Sequence, residues 1–217
     1  AGVGNCCAAL VQGVEYYRGD GKLGLLHPTL GGYDVGDIRF VAALDIDQNK
    51  VGLDLSEAIL AEPNKAPRLM DVGPAGVKVQ MGHTPDHVED NSMSHIEIAK
   101  GKPVDVAKTL RDAEAEVLVN LISGGSDKAS RFYAEESQKA GCGFLNATPS
   151  GIVNDLSLSA SYRRAGLPMA GDDLLSQMGA TAVHMGLLEF LHSRGVHVEE
   201  SYQLDVGGGS ESINTLE

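Results

Sequence analysis

The chain has 217 residues, of which 42% are hydrophobic and 22% are charged, so it carries enough apolar material to form the core of a globular protein. Its net charge of -13 argues against nucleic acid as a partner, because an acidic surface repels phosphate backbones. No apolar run approaches the roughly 20 residues of a membrane span and no signal peptide precedes the fold, so we expect a cytoplasmic protein without a membrane partner.

Apolar runs alternate with helical patterns along the chain, which predicts an α/β fold with a mainly parallel sheet. The strands at 38–46 and 116–122 are apolar almost throughout, as is typical of buried strands. In chain order, the patterns predict a helix at 5–18, a loop at 19–37, a strand at 38–46, a helix at 48–60, a strand at 77–80, a polar surface loop at 81–98, a helix at 103–114 that starts at Pro103, a strand at 116–122, a helix that follows Ser126 and ends near Ala140, and a strand at 144–146.

The clearest helical pattern lies near the end of the chain, at 173–194. Asp172 or Asp173 can cap its start and Gly195 can end it. Its apolar stripe consists of Leu174, Met178, Met185, Leu188 and Leu191. The alternation at 196–206 then predicts a strand with one face in solvent, and the glycine-rich segment 207–211 follows it.

The first turn of the chain places glycines ahead of a helix, in the segment Gly2-Val3-Gly4-Asn5-Cys6-Cys7. In a dinucleotide-binding fold, such glycines allow a tight turn and a close approach to a pyrophosphate, and the helix start offers amides to it. Cys7 stands at the third glycine position, where a small residue still permits close packing. The pattern alone is weak evidence, so a contact between residues 2–6 and a dinucleotide needs a second feature.

Asp45 supplies that second feature, because it ends the next apolar strand. A carboxylate there can bond both hydroxyls of the adenosine ribose and repel a 2′-phosphate, which favours NAD over NADP. Asp45 lies further along than the roughly 20 residues of the common fingerprint, and the loop at 19–37 accounts for the excess. The alternative is that Asp45 or Asp47 merely caps the following helix.

Polar residues also follow two later strands. Asn120 leads into the loop at 123–126, which begins with Ser123, and Thr148 follows the strand at 144–146. Because ligands of doubly wound sheets bind at the carboxyl ends of the strands, we expect these residues to face the cofactor. An ordinary strand–helix turn is the alternative for 123–126. Asp172 is expected to point at the nicotinamide ribose or at a cation, unless it only caps the last helix.

Cysteine and histidine spacings indicate neither a disulfide framework nor a metal site. Cys6, Cys7 and Cys142 fit three small apolar residues in a reducing compartment. His83 and His87 are four residues apart, but they lie in a stretch without helical periodicity. We therefore predict no metal.

Six segments resemble prokaryotic inositol-3-phosphate synthases (myo-inositol-1-phosphate synthases), in order along nearly the whole chain. They are GVGNCCAALVQGVEYY at 2–17, LGGYDVGDIRFVAALDIDQNKVGLDLSEAI at 30–59, VLVNLISGGS at 117–126, FLNATPSGI at 144–152, GDDLLSQMGAT at 171–181 and YQLDVGGGSESINTLE at 202–217. The resemblance implies a Rossmann-like, doubly wound NAD-binding domain at 1–195 and the start of an α+β catalytic and tetramerisation domain at 196–217. It further implies a homotetramer that isomerises glucose 6-phosphate to 1D-myo-inositol 3-phosphate, with NAD taking a hydride from the substrate and returning it.

The resemblance also assigns residues and shows departures. It implies cofactor or ligand contacts at Gly2, Val3, Gly4, Asn5, Asp45, Asp54, Ala113, Tyr133, Ser176 and Glu211. Relatives continue into a lysine-rich stretch that holds phosphate and offsets oxyanion charge, whereas this chain stops at Glu217. Leu175 replaces a common Lys, Ser123 replaces a Pro, and the strand expected before Gly2 is missing. We therefore expect an incomplete stretch of the enzyme that binds NAD without turnover, its catalytic lysines lying beyond residue 217.

Two other functions stay open at this point. The chain could be a shortened paralogue that holds NAD without catalysis, as the missing lysines would allow. It could also be another NAD-dependent oxidoreductase with a similar first domain, which would release NADH.

Overall fold

The computed structural model describes residues 1–19, 23–84, 96–174 and 179–204. Its helices are α1 Asn5–Tyr17, α2 Leu55–Ala58, α3 Val106–Asp112, α4 Asp127–Ala140, α5 Leu156–Ala165 and α6 Ala180–Ser193. Its strands are β1 Thr29–Leu30, β2 Tyr33–Asp34, β3 Ala43–Asp45, β4 Val79–Met81, β5 Val117–Asn120, β6 Gly143–Asn146 and β7 Met169–Ala170. Within these described ranges, no helix is both long and apolar enough to cross a membrane.

Two groups of parallel strands are joined by the first residues of the chain. β3 pairs with β4, and β6 lies between β5 and β7. The amide of Gly2 donates to Leu44 O at 2.9 Å, while the nitrogen of Ala1 donates to Val119 O at 2.7 Å and its carbonyl accepts from Leu121 at 2.8 Å. The order across the sheet is therefore β4, β3, residues 1–2, β5, β6, β7, which is the order of a Rossmann fold.

Helices cover both faces of this sheet, because neighbouring strand residues point to opposite sides. Ala43 packs into one buried cluster with residues of α1 and α2, and Leu44 packs into another with residues of α3, α4 and α5. The expected doubly wound α/β arrangement is confirmed.

Several predicted elements are shorter than expected. The strand at 38–46 is regular only over β3, and the helix at 48–60 is largely turns before α2. α3 starts at Val106 with Asp105 as its N-cap, three residues after Pro103. The predicted loop at 19–37 contains the β1–β2 hairpin, and residues 85–95 of the predicted loop at 81–98 lie outside the described residues.

One helix escaped the sequence patterns. α5 buries only Leu158 and Tyr162, which is too few apolar positions to produce a visible stripe. Its start is fixed instead by Asp155, whose side chain accepts the amides of Ser157 and Leu158.

The chain divides into two compact units, residues 1–172 and residues 173–217. In the second unit α6 starts at Ala180, and Asp173 and Leu174 are not helical, so the helix start predicted at 173 is wrong, whereas Gly195 follows the helix end as predicted. Residues 175–178 lie outside the described residues. Residues 196–204 form no strand, contrary to prediction, and are linked to α6 by Gln203 through His184 at 2.9 Å and Thr181 at 3.3 Å. None of the described residues of α6 is buried. The functional boundary expected at residue 196 stays a prediction.

Candidate functional site

The turn before α1 brings its backbone against the end of β5. Gly2 has a φ of +85°, which L side chains rarely adopt, and a Cβ on it would lie 2.7 Å from Leu121 O. Only glycine therefore fits this position without strain. Gly4 is less constrained, because it has a φ of -90° and a Cβ there would meet nothing within 4 Å.

The start of α1 presents backbone amides at the same edge of the sheet. Ala8 donates to Gly4 O at 3.0 Å, so the amides of residues 5–7 lie ahead of the first intrahelical bond. The first turn of α1, described throughout, carries no acidic side chain that would oppose an anion. Together with the helix dipole, these amides suit a phosphate group. Cys6 is exposed here, whereas Cys7 is buried.

Asp45 reaches this turn from the end of β3. Its Oδ2 accepts the amide of Val3 at 2.6 Å, and its Oδ1 accepts the amides of Ile46 and Asp47 at 2.7 and 2.9 Å. The places predicted for the pyrophosphate and the adenosine ribose are therefore in direct contact. The N-cap of α2 is Asp54, so the alternative that Asp45 or Asp47 caps that helix is wrong.

A small open cleft of about 70 Å³ lies beside the turn. Its walls come from the ends of β3 and β4, the loop after β5 and the first turns of α4. Gly2, Asp45, His83, Ser126 and Tyr133 are among the lining residues. Within the described part of the chain, no lysine or arginine lines it, so the cleft suits a ribose or an aromatic ring better than a phosphate.

Tyr133 forms the α4 side of this cleft. Its hydroxyl accepts the amide of His83 at 2.9 Å, and its ring packs edge-on against Phe132, which also contacts the His83 ring. Burial raises the pKa of Tyr133 to about 12, although the hydrogen bond from His83 acts in the opposite direction. Tyr133 is therefore a neutral hydroxyl near neutral pH and keeps a proton to donate.

Neutral amide side chains hold the ends of β5 and β6 together. Asn120 and Asn146 are both fully buried, and Asn120 Nδ2 donates to Asn146 Oδ1 at 2.8 Å. Asn146 Nδ2 in turn lies within hydrogen-bond distance of the carbonyls of Thr148 and Ser150 and of Asp172 Oδ1, at 3.1, 2.7 and 2.8 Å. The predicted residues Asn120, Thr148 and Asp172 are thus brought together around Asn146.

The direction of both amides follows from what surrounds Asn146. Carbonyl and carboxylate oxygens only accept hydrogen bonds, so Asn146 turns its NH₂ group towards them and its oxygen towards Asn120. Asn120 then donates to Asn146 and to Ser130 Oγ at 3.0 Å. Its own Oδ1 is buried and accepts no hydrogen bond from the described residues. An unsatisfied buried acceptor costs about 1–3 kcal/mol, so this oxygen is a destabilised point at the edge.

The carboxylate of Asp172 is occupied within its own unit. It accepts the amides of Val153 and Asn154 and the side chain of Asn154, besides that of Asn146. Burial alone would raise the pKa of Asp172, but the hydrogen bonds from Asn146, Val153 and Asn154 outweigh it and lower the pKa. The alternative that Asp172 or Asp173 caps the last helix is wrong, because Gly179 is the N-cap of α6.

The side chains of Asn5 and Asp54 bind loops that lie outside the cleft. Asn5 Oδ1 accepts the two amides of 65–66 at 2.7 and 2.9 Å. Asp54 Oδ1 accepts the amide and hydroxyl of Ser56 and an amide of 75–76. Burial alone would raise the pKa of Asp54, but these hydrogen bonds prevail and lower it to about 2. Of the two residues, only Asn5 is placed for a ligand, through its backbone at the start of α1.

The remaining predicted ligand residues are not brought to the cleft. Ala113 ends α3, which leads into the amino end of β5, at the opposite edge of the sheet. Ser123 is exposed on the loop after β5. Ser176 and Glu211 lie outside the described residues.

Two residues beside the turn were missed in the sequence. Asn64 Nδ2 donates to Val3 O at 3.0 Å, and Lys50 Nζ donates to Asn64 Oδ1 at 2.9 Å. Lys50 also lies 3.7 Å from the carboxylate of Asp47, and both side chains are almost fully buried. The spacing of Asp47 and Lys50 permits an ion pair, but nothing in it indicates burial, and Asn64 belongs to no pattern.

The groups at the carboxyl edge of the sheet could hold a dinucleotide whose adenosine ribose carries no 2′-phosphate. A turn that only glycine can occupy allows a close approach, the helix start offers amides, and Asp45 stands beside both. Dinucleotide-binding folds hold NAD with these groups. Among the described residues, no cluster of three or more His, Cys, Asp or Glu side chains could hold a metal ion.

The strand order, the helices on both faces and the glycine turn at the carboxyl edge define an α/β protein of the Rossmann-like class. A solved structure described as the crystal structure of Ari2 shares this fold with a TM-score of 0.81 and 35% sequence identity, over 99% of this chain and 65% of that chain.

Comparison with known sequences finds inositol-3-phosphate synthases among the similar proteins. Residues 179–217 match the family model of myo-inositol-1-phosphate synthase. The inositol-3-phosphate synthases of Mycolicibacterium smegmatis and Corynebacterium glutamicum are 44% and 43% identical to the chain, over 100% of the chain and 61% of each relative. That of Mycobacterium tuberculosis strain CDC 1551 is 43% identical over 100% of the chain and 60% of its own length. Over its whole length the chain is similar to inositol-3-phosphate synthases, as the resemblance predicted, and it spans about 60% of these relatives.

Proposed function

We propose that this chain forms the NAD-binding part of an inositol-3-phosphate synthase, which isomerises D-glucose 6-phosphate to 1D-myo-inositol 3-phosphate. The hydrogen bond of 2.6 Å between the Val3 amide and the Asp45 carboxylate carries the proposal. It joins the place for a pyrophosphate to the place for an adenosine ribose, in a chain that aligns from end to end with synthases.

The first half of the edge would bind the adenosine diphosphate part of the cofactor. The amides of 5–7 would donate to the pyrophosphate, and Gly2 lets the ligand approach the backbone. Asp45 would accept the ribose hydroxyls and repel a 2′-phosphate, which selects NAD. When bound, NAD supplies a hydride acceptor that later returns the hydride, so the isomerisation uses no net oxidant.

The second half of the edge would face the nicotinamide end. Asn120 and Thr148 are both buried behind that end of the edge, where their neutral amide and hydroxyl groups are held in place by Asn146 and Asp172. Uncharged groups of this kind suit the ribose hydroxyls and carboxamide of that end. Tyr133 limits the cleft on the α4 side and keeps its own proton.

The substrate needs positive charge from another part of the enzyme. A phosphate dianion and a developing oxyanion call for preorganised cations or N–H donors, and the described lining of the cleft contains no lysine or arginine. We propose that the lysine-rich stretch of the family supplies them. Residues 1–217 alone should then bind NAD without turnover, and the complete protein should be a cytoplasmic homotetramer.

Activity of the complete gene product tests the proposal. With glucose 6-phosphate and catalytic NAD, we expect inositol phosphate, detected as phosphate released by periodate, at a constant NAD level. NAD binding without product would instead support a shortened paralogue. Steady accumulation of NADH would support a different oxidoreductase.

The Asp45→Asn variant tests the cofactor assignment. We expect a dissociation constant for NAD about tenfold higher, because a charge-assisted hydrogen bond contributes roughly 1.5–3 kcal/mol. Discrimination against NADP should weaken as well, since the repelling charge is gone. Asp112→Asn, which removes an exposed acid from α3, is the matched control and should leave both affinities unchanged. Unaltered NAD binding in Asp45→Asn would refute the assignment.

A further inference from the structure

A closed ring of polar contacts includes both backbone polar groups of Val3. Its N–H donates to Asp45, whose carboxylate also accepts the amide of Asp47. The carboxylate of Asp47 faces Lys50 Nζ at 3.7 Å, and this ammonium group donates to Asn64 Oδ1 at 2.9 Å. Asn64 Nδ2 closes the ring on Val3 O at 3.0 Å. Both backbone polar groups of Val3, a residue of the proposed phosphate-binding turn, are therefore held by side chains from other segments.

Lys50 and two backbone carbonyls together determine which way the Asn64 amide points. The NH₂ group of Asn64 donates to the carbonyls of Val3 and Ile59, and its oxygen accepts from Lys50. An ammonium group has only donors, so the inverted amide would place N–H against N–H and oxygen against two carbonyl oxygens. With Lys50 present, only the observed orientation satisfies all of these groups.

The burial of Lys50 favours a role in placement over one in stability. Lys50 is 3% exposed and Asp47 is not exposed at all, so both charges have lost their water. A buried ion pair is often no more stabilising than an apolar pair of the same size. Moreover, Asp47 Oδ2 accepts no hydrogen bond within the described ranges. The ammonium group donates its hydrogen bond instead to Asn64, which in turn donates to the Val3 carbonyl.

We propose that Lys50 is a positioning residue for the dinucleotide turn. Acting through Asn64, it fixes the carbonyl of Val3 so that the amides of 5–7 face the pyrophosphate, and it does not itself contact the ligand. The inference rests on the proposed binding of NAD. It requires that Lys50 matter for ligands that contain a pyrophosphate and not for adenosine, which Asp45 would hold through the ribose.

The first test is Lys50→Met in the complete protein, with dissociation constants for NAD, ADP-ribose and adenosine measured by calorimetry. We expect values about tenfold higher for NAD and ADP-ribose, equivalent to roughly one hydrogen bond, and a change below about twofold for adenosine. Lys78→Met, which removes an exposed lysine next to β4, is the matched control and should change none of the three. A purely structural role of Lys50 would lower the melting temperature and leave all three constants of the folded protein unchanged.

Asn64→Ala tests the same ring from its half-buried side and keeps the proposal falsifiable if Lys50→Met does not fold. It should weaken NAD binding to a similar extent. The double variant with Lys50→Met and Asn64→Ala should bind NAD no more weakly than Asn64→Ala alone, because both residues act through one contact. Unchanged NAD binding in either folded variant, or equal losses for NAD and adenosine, would overturn the positioning role. If the unmodified protein does not bind NAD, the proposed function fails before any variant is compared.

Discussion

Strands β3 and β4 and strands β5 to β7 end at the same edge of the sheet, but different chemistry holds the two sets of ends. On the β3 side, one carboxylate, that of Asp45, accepts three backbone amides directly. On the β5–β7 side, Asn120 and Asn146 stand between the strands and the nearest carboxylate, Asp172. A carboxylate thus sets the direction of the hydrogen-bond donors in both halves of the edge. Asp45 does so by direct contact on the β3 side, and Asp172 does so through the amides of Asn146 and Asn120 on the β5–β7 side.

The difference shows how one edge can suit two kinds of ligand group. Direct contact leaves the Asp45 charge beside the turn, where ribose hydroxyls can use it. On the β5–β7 side, Asn146 separates the charge of Asp172 from Asn120. The neutral oxygen of Asn120 has no hydrogen-bond donor among the described residues. The first half should therefore respond most to changes of charge or backbone shape, and the second to loss of a buried amide.

Asn146→Leu should have the largest effect on stability. It leaves the Asn120 amide, two carbonyls and the Asp172 carboxylate without their buried partner, so we expect the free energy of unfolding to fall by about 4 kcal/mol in chemical denaturation. Asn154→Leu removes an exposed donor to the same carboxylate and should cost less than about 1 kcal/mol. Similar losses in both variants would mean that Asn146 does not organise this half.

Gly2→Ala should be the most damaging change in the other half. A Cβ at Gly2 would lie 2.7 Å from Leu121 O at a φ of +85°, so we expect a loss of about 3 kcal/mol in the same measurement. Gly4→Ala is the matched control, since its Cβ would meet nothing within 4 Å, and it should cost only about 0.5 kcal/mol. If the two alanines were equally tolerated, the close approach at Gly2 would not constrain the turn.

Tyr133→Phe probes the wall that both halves share. It removes the acceptor for the His83 amide, so we expect the free energy of unfolding to fall by about 1 kcal/mol. The His83 amide should also exchange faster with deuterium. Tyr17→Phe removes a hydroxyl that bonds Leu23 O at an exposed position, and we expect a change below about 0.5 kcal/mol. An unchanged exchange rate at His83 would contradict the contact.

The smallest effect concerns the pH dependence of stability at Asp54. Its folded pKa of about 2 lies below the roughly 3.9 of an ordinary aspartate, so its contribution is fully present above about pH 4 and is lost as the pH falls through 2. Asn at this position keeps an acceptor oxygen but does not titrate, and the unfolding free energy of Asp54→Asn should therefore fall less steeply between pH 4 and 2. Asp112→Asn should keep the steep slope of the unmodified protein. Parallel curves for Asp54→Asn and the unmodified protein would disprove the linkage.

The parts of the fold that the sequence revealed are those with strong local patterns. α1, α4, β5 and β6 lie close to their expected positions, because each of the two helices has one buried face and the two strands are short, mainly buried runs. α5 was missed because its start depends on a cap at Asp155 and on an ion pair between Asp155 and Arg131, which no apolar pattern reflects.

The site could be predicted where ligand chemistry restricts the residue type. Gly2 and Asp45 were found because a pyrophosphate needs a glycine turn and a ribose needs an acceptor. Lys50 and Asn64 are 14 residues apart, and both are distant in sequence from the turn whose backbone they hold. No spacing rule therefore connects them with Val3. Asp172 was identified as a polar residue of the edge, but its partners in the 153–154 loop could not be inferred from a pattern.

The junction formed by Ala1 has a consequence for the order of assembly. Its hydrogen bond to Val119 joins residues 118 positions apart, whereas β3–β4 and β5–β6–β7 are each built from neighbouring parts of the chain. Closing so long a loop is slow and entropically costly, so we expect each group of strands to form on its own and the two to meet last. A partly folded molecule would then contain both halves of the sheet yet have no place for a dinucleotide.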